Sequence, residues 1–386
     1  MVTPAILAFP SGYEESRARF RQLLERVRQR WPSARLGQHR LAGDGDLTID
    51  WLQAEPLAGR DQVLVMTIGE HGIEAYVGAA LLLRLVYDYL PCLDPRRTGL
   101  LLVHAINPWG MKHRRRVNRD NIDLNRTFIW NPSPGTPAAA LHDPAFNPAY
   151  GQHRGLFEPA GQFGSYALAN LGYALKLAGN LVQIGHKRLG AARSLGQYAF
   201  PRGLHYGGTD RPEETTVLME LYRQCFETYA QVAHLDMHTG WGPRYQMSVV
   251  ASTLEPRSSP EMCRQYGYPQ IVKANTDEFY PLRGDMIDYV YALWREVFAH
   301  RRLFSATFEF GTLGESLYSR YCSQRAMVFE NRLHWYGAQD PAVRARVERD
   351  FKDLFFPEEP DWCAKALADF RQATEGILRA EGVLTM

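Results

Sequence analysis

The chain has 386 residues, 45% of them hydrophobic and 22% charged, with a formal net charge of +2 at pH 7. That apolar content excludes a disordered chain, and the near-neutral balance supplies no field that would favour nucleic acid or an anionic membrane. The five cysteines, Cys92, Cys225, Cys263, Cys322 and Cys363, form no C-x-x-C pair, so neither a disulfide framework nor a thiolate zinc site is expected.

The opening "MVTPAILAFPSGYEESRARF" has no basic lead and no long apolar core, and no run reaches the roughly 18 apolar residues of a membrane span. A soluble, cytoplasmic protein is the expectation. Residues 13 to 30 carry leucines and a valine at helical spacing among charges, with Pro32 closing an amphipathic surface helix. "DQVLVMTIG" (61 to 69) reads as a strand, "EAYVGAALLLRLVYDYL" (74 to 90) as the helix after it, and "GLLLVHAINP" (99 to 108) as a second strand. Strand, helix, strand is a βαβ unit, which calls for a buried, largely parallel sheet.

The stretch from 128 to 212 is rich in Gly, Pro, Tyr and His, with one helical segment near 165 to 182, and reads as an insertion. Regular pattern resumes with a helix over 212 to 229, the strand "VAHLDMHT" (232 to 239), a helix around 285 to 299, the strand "LFSATFEFG" (303 to 311) and a helical region from Pro341 onward. No repeat, low-complexity tract or linker divides the chain, so one elaborated domain over 1–386 is expected.

The residues that carry chemistry sit at the ends of these strands. "GEHGIEAYVG" places His71 and Glu74 three apart, just after an apolar run and at a helix start. A catalytic zinc ion needs about three protein ligands and an open position for water, and two histidines with one glutamate is one such set. On its own H-x-x-E recurs by chance. "LDMHTGWG" offers His238 at the end of another strand, with Asp236 on the same face by the period of two. Between them lies "NPWGMKHRRRVNRDNIDLNRTF", residues 107 to 128, whose cations taken alone fit a solvated basic face as well as a binding site.

The ordered set H-x-x-E, Asn-Pro-x-Gly, arginines, "DLNR", a strand-end His, and a strand carrying Glu in "FEFGT" resembles the zinc carboxypeptidase family over about residues 61 to 312. It also resembles that family's bacterial subgroup described as a domain of unknown function, in which "GQYAFPRGLHYGG" (196 to 208) is similar to a recurrent insertion. The resemblance implies an α/β fold with a mixed, largely parallel central sheet flanked by helices, of phosphorylase/hydrolase-like architecture. It implies one zinc ion held by His71, Glu74 and His238, with Glu309 as general base and Arg116 or Arg115 stabilising the oxyanion. Asn125 and Arg126 would grip a terminal carboxylate, Tyr280 would close over it, and Ile287 would line the side-chain pocket.

The implied activity is hydrolysis of an amide or peptide bond next to a free C-terminal carboxylate, in a small peptide or amino-acid conjugate. An N-acyl amino acid deacylase resembling the aspartoacylase branch shares H-x-x-E and a later His. A catalytically inactive binding protein on the same fold is the third reading.

Overall fold

The computed structural model describes residues 9–43, 45–131, 141–274 and 282–384. Eight strands form one sheet: β1 (Arg35–Arg40), β2 (Thr48–Ala54), β3 (Gln62–Ile68), β4 (Thr98–His104), β5 (Gln231–Thr239), β6 (Met247–Ala251), β7 (Ile271–Lys273) and β8 (Arg302–Phe310). Among the described residues twelve α-helices accompany them: α1 (Tyr13–Arg28), α2 (Ala75–Arg84), α3 (Pro108–His113), α4 (Pro148–Gln152), α5 (Arg154–Phe157), α6 (Tyr166–Ser194), α7 (Glu213–Thr228), α8 (Ser259–Tyr266), α9 (Met286–Val297), α10 (Leu317–Tyr336), α11 (Pro341–Phe355) and α12 (Pro360–Ala380).

The strand order is β1-β2-β4-β3-β5-β8-β6-β7. The central four, β4, β3, β5 and β8, run parallel, while β2 and β6 flank them antiparallel. This is a mixed, largely parallel sheet. Strands β3, β4 and β5 are buried along their length, as strands covered on both faces must be.

The period of two divides each strand between two cores. Leu64, Met66 and Ile68 of β3, with Ala233, Leu235 and Met237 of β5, face the core shared with α1, α2 and α12. Val63 and Val65 face the core under α7 and α9. On that second face, β5 carries His234, Asp236 and His238 and β8 carries Ser305, Thr307 and Glu309, so polar groups replace apolar ones there.

The chain leaves β3 toward β4 on one side and later returns to place β5 on the other. The gap beyond the carboxyl ends of β3 and β5 is therefore the topological switch point, where open α/β sheets place their ligands. The hairpin β1–β2 has no counterpart in the sequence reading. Edge strand β1 is mostly polar and exposed, and gives neither an apolar run nor strict alternation. The described residues of 128–212 add no strand to the sheet, only helices, of which α6 is the longest and is broken at Gly185 (φ 76, ψ 165). Among the described residues no helix is long and apolar enough to cross a membrane.

Candidate metal centre

The turn after β3 is shaped by two glycines. Gly69 adopts φ +74, a region that disfavours residues with a Cβ, and a Cβ on Gly72 would lie 2.0 Å from the backbone of Gly110. That close approach docks the turn on α3, with Gly72 N donating to Arg116 O (3.1 Å) and Ile73 N to Arg115 O (2.9 Å). Asn107 caps α3 by accepting from Gly110 N at 2.8 Å, and Pro108 at the first helical position needs no acceptor. "NPWG" is thus a helix start that carries the arginines back against the His71 turn.

His71, Glu74 and His238 meet. His71 Nδ1 is 3.0 Å from Glu74 Oε1 and His238 Nδ1 is 3.2 Å from Glu74 Oε2; the two rings lie nearly perpendicular, 4.9 Å apart. The opposite nitrogens are held by other carboxylates: His71 Nε2 by Asp123 Oδ1 at 3.0 Å and His238 Nε2 by Asp236 Oδ2 at 2.6 Å. With a carboxylate on each Nε2, both rings turn Nδ1 toward Glu74, the arrangement by which carboxylates orient metal-binding histidines.

The donor chemistry suits zinc. His71 Nδ1 is buried and, despite its short distance to Glu74, has no aligned hydrogen-bond partner, as an atom placed to meet an ion would. Among the described residues, the trio whose donor atoms, one from each, all lie within 4.8 Å of one another is Glu70, His71 and His238. Glu70 approaches His238 at Nε2, 3.3 Å away, where Asp236 is already closer. The set converging on both Nδ1 atoms is therefore the better one.

Glu309 is the neighbour of His238 in the parallel β5–β8 ladder, so their side chains project side by side from the same face. Trp241 N donates to its Oε1 at 2.9 Å. Burial first, and then the Glu74 carboxylate, push its pKa up to about 7. Burial would also raise Glu74 and Asp123, but His71 and His238 pull the first down, and Arg116, Arg126 and His71 hold the second well below the usual carboxylate range.

Arg116 and Arg115 diverge. Arg116 Nη1 donates to Glu74 Oε1 (3.1 Å) and Nε to Asp123 Oδ2 (3.2 Å), and the side chain lines the cavity beside the centre. Arg115 instead binds Glu330 Oε1 of α10 at 2.7 Å together with Asn121 and Asn331, away from the centre.

Asn125 also lines the cavity, its Oδ1 accepting from Met286 N at 3.0 Å at the start of α9. Arg126 departs from the expected role. It is fully buried, and its guanidinium donates to the carbonyls of Asn125 (2.6 Å) and Ser194 (2.8 Å). Its Cδ packs where a Cβ on Gly196 would stand. It ties the Asn125 turn to the end of α6 and is turned away from the cavity. Ile287 lines the cavity from α9. Tyr280 lies outside the described residues.

The cavity measures about 710 Å3 and joins His71, His238, Glu309 and Arg116 to residues of α6, α9 and α10. Two of its neighbours escaped the sequence reading. Glu70 sits beside His71, and burial pushes its pKa up to about 7. His205 donates from Nδ1 to Asp123 Oδ2 at 2.8 Å in a left-handed conformation (φ 52). Burial keeps His205 neutral, with its pKa down to about 3. The segment "GQYAFPRGLHYGG" was visible as an unusual insertion, but only the fold brings it against Asp123.

In the solved structures, the chain is similar to carboxypeptidase A from Helicoverpa armigera, with 14% identity, TM-score 0.45, and coverage of 87% of this chain and 73% of that one. It is similar also to thrombin activatable fibrinolysis inhibitor (14% identity, TM-score 0.48, 99% of this chain and 77% of that one). An aspartoacylase family protein from Mesorhizobium loti matches with 16% identity, TM-score 0.37, and 78% and 66% of the two chains. No curated protein matches the sequence. The model of one family, described as a protein of unknown function, DUF2817, matches residues 9–369, and the chain belongs to that family.

Proposed function

We propose that this chain is a zinc-dependent hydrolase that cleaves an amide or peptide bond next to a free C-terminal carboxylate, in a small peptide or amino-acid conjugate. The observation that carries the reading is that His71, Glu74 and His238 converge with both Nδ1 atoms facing inward, while Glu309 stands beside His238 in the adjoining strand. Zinc bound by these three side chains would polarise the scissile carbonyl and ease ionisation of the attacking water.

The protein's own residues do the rest. Glu309, buried and held near neutrality, accepts the proton of the attacking water and passes it to the leaving nitrogen. Arg116, braced by Glu74 and Asp123, offers its guanidinium to the developing oxyanion. Asn125, pinned by Met286 N, supplies an amide to the substrate carboxylate, and Tyr280 closes over it in this reading. Arg126 acts by holding the Asn125 turn. Ile287 at the pocket wall favours an apolar side chain on the residue released.

The same centre suits an N-acyl amino acid deacylase, since only the group on the acyl side of the amide differs. The test is zinc content by mass spectrometry of purified protein, followed by a screen of C-terminally free and amidated peptides and N-acyl amino acids. One zinc per chain and cleavage confined to substrates with the free carboxylate are expected. A protein without zinc affinity would overturn the reading and leave a binding protein on this fold.

A further inference from the structure

Resting on that hydrolase reading, we infer that His205 is a further substrate-binding residue: its Nε2 accepts a hydrogen bond from the N–H of an amino-acid residue on the acyl side of the scissile bond. The substrate is then a peptide, and simple acyl groups are poor occupants. His205 lines the cavity together with Arg116 and Asn125. Its Nδ1 and Arg116 Nε donate to the same oxygen, Asp123 Oδ2, at 2.8 and 3.2 Å. Despite its burial, Asp123 is held ionised by Arg116, Arg126 and His71, and an ionised carboxylate can only accept. The ring proton of His205 therefore sits on Nδ1. Burial keeps the ring neutral, so Nε2, the nitrogen left for a ligand, carries a lone pair and no proton.

The turn that carries His205 is fixed from several directions. Asn121 Nδ2 donates to Pro201 O (2.9 Å) and Gly203 O (3.1 Å), Asn331 Nδ2 to Arg202 O (2.6 Å), Gln197 N to His205 O (3.1 Å) and Asp123 N to Tyr206 O (2.7 Å). Arg115 in turn holds Asn121 and Asn331 by their Oδ1 atoms. The two adjacent arginines thus divide their work: Arg116 lines the cavity, and Arg115 braces the turn that brings His205 to it. These bonds hold His205 in its left-handed conformation, which is uncommon for a residue with a Cβ and persists where the surroundings over-determine it.

A donor and an acceptor side by side decide what fits. A residue in extended conformation points its own N–H and C=O to the same side, as each member of a hydrogen-bonded antiparallel pair does. Arg116 is the donor for the scissile carbonyl oxygen, and His205 is an acceptor tied to the same Asp123 oxygen. Together they complement one extended amino-acid residue, its C=O on Arg116 and its N–H on His205. An acyl group without that N–H would strip water from Nε2 and give it no partner.

The experiment compares N-acetylalanyl-leucine with its analogue O-acetyl-lactoyl-leucine, in which an ester oxygen replaces that one N–H, and with N-propanoyl-leucine. Leucine release by the zinc-loaded enzyme is read by mass spectrometry. The amide substrate should exceed both others in kcat/KM by about 10- to 100-fold, the cost of leaving a buried acceptor without its donor. In His205→Leu, checked for folding by circular dichroism, the amide-to-ester ratio should fall to within about threefold of one. Nitrogen-15 NMR of zinc-loaded Glu309→Gln protein gives a readout independent of cleavage. The His205 Nε2 resonance should be that of an unprotonated nitrogen, and should move upfield with N-acetylalanyl-leucine and not with the ester. Equal kcat/KM for amide and ester, a ratio that survives in His205→Leu, or a protonated Nε2 overturns the inference while the hydrolase reading stands. Release of leucine from none of these compounds by zinc-loaded protein overturns both.

Discussion

The strand-end centre and helix α6 are built on opposite principles. At the carboxyl ends of β3, β5 and β8, each functional side chain is fixed by its place in a parallel ladder and by a second group behind it: Asp123 behind His71, Asp236 behind His238, Trp241 N on Glu309. On α6, leucines and a valine stand in solvent, and the helix breaks at Gly185. Rigid, satisfied polar geometry suits bond cleavage, which tolerates little displacement.

Replacing a ligand should separate the two regions most sharply. His71→Ala or His238→Ala removes one of three donors, and zinc should fall from one per chain to none retained after dialysis, with cleavage lost. Retained stoichiometric zinc in either variant would break the proposed centre. Next in size, Glu309→Gln should keep zinc and lower kcat by roughly 10²- to 10⁴-fold, the span of general-base contributions, as read by steady-state kinetics beside metal analysis.

Smaller effects are expected behind the ligands. Asp123→Asn and Asp236→Asn each keep the shape but weaken the hold on an imidazole Nε2, and a loss of about 10- to 100-fold in zinc affinity is expected from chelator competition. The smallest effect sharpens the contrast with a buried acid away from the centre. Glu214 of α7, bonded to Asn118 Nδ2 at 3.2 Å, has its pKa pushed up to about 7 by burial. Because this folded pKa lies above the unfolded value, the fold prefers the neutral acid. Its cost is absent below the ordinary carboxylate pKa and grows as pH rises to about 7. Glu214→Gln should therefore raise stability by about 1–3 kcal/mol at pH 7.5 and leave it unchanged near pH 4, as followed by urea unfolding. Zinc content should not change.

Much of the sheet was legible. The apolar runs at 61–69, 99–108, 232–239 and 303–311 correspond to β3, β4, β5 and β8 within a residue or two at most ends, β4 closing earlier at His104. Continuous burial on both faces writes itself into sequence as uninterrupted apolar residues. Helix α6 runs well past the expected 182, to Ser194, because a break at Gly185 obscures its periodicity. Helix α10 was not expected at all. Its apolar residues meet α6 and α11 and leave much of the helix partly exposed, so no clean stripe is present in "LYSRYCSQRAMVFENRLHWY".

At the candidate centre, the contact between His71 and Glu74 was foreshadowed by their being near in sequence. Arg115 and Arg116 were not separable, since adjacent residues on one loop differ only in which way the fold turns them. Arg126 was misplaced for the same reason: the carbonyl that engages it, Ser194, is 68 residues away.

The sequence by itself determined which strands are buried and which polar residues stand at their ends, because local pattern and residue type carry that information. Only the tertiary structure decided which nitrogen each histidine presents, which arginine reaches the cavity and what covers its far side. Those depend on partners contributed by distant segments, whose directions no local pattern encodes.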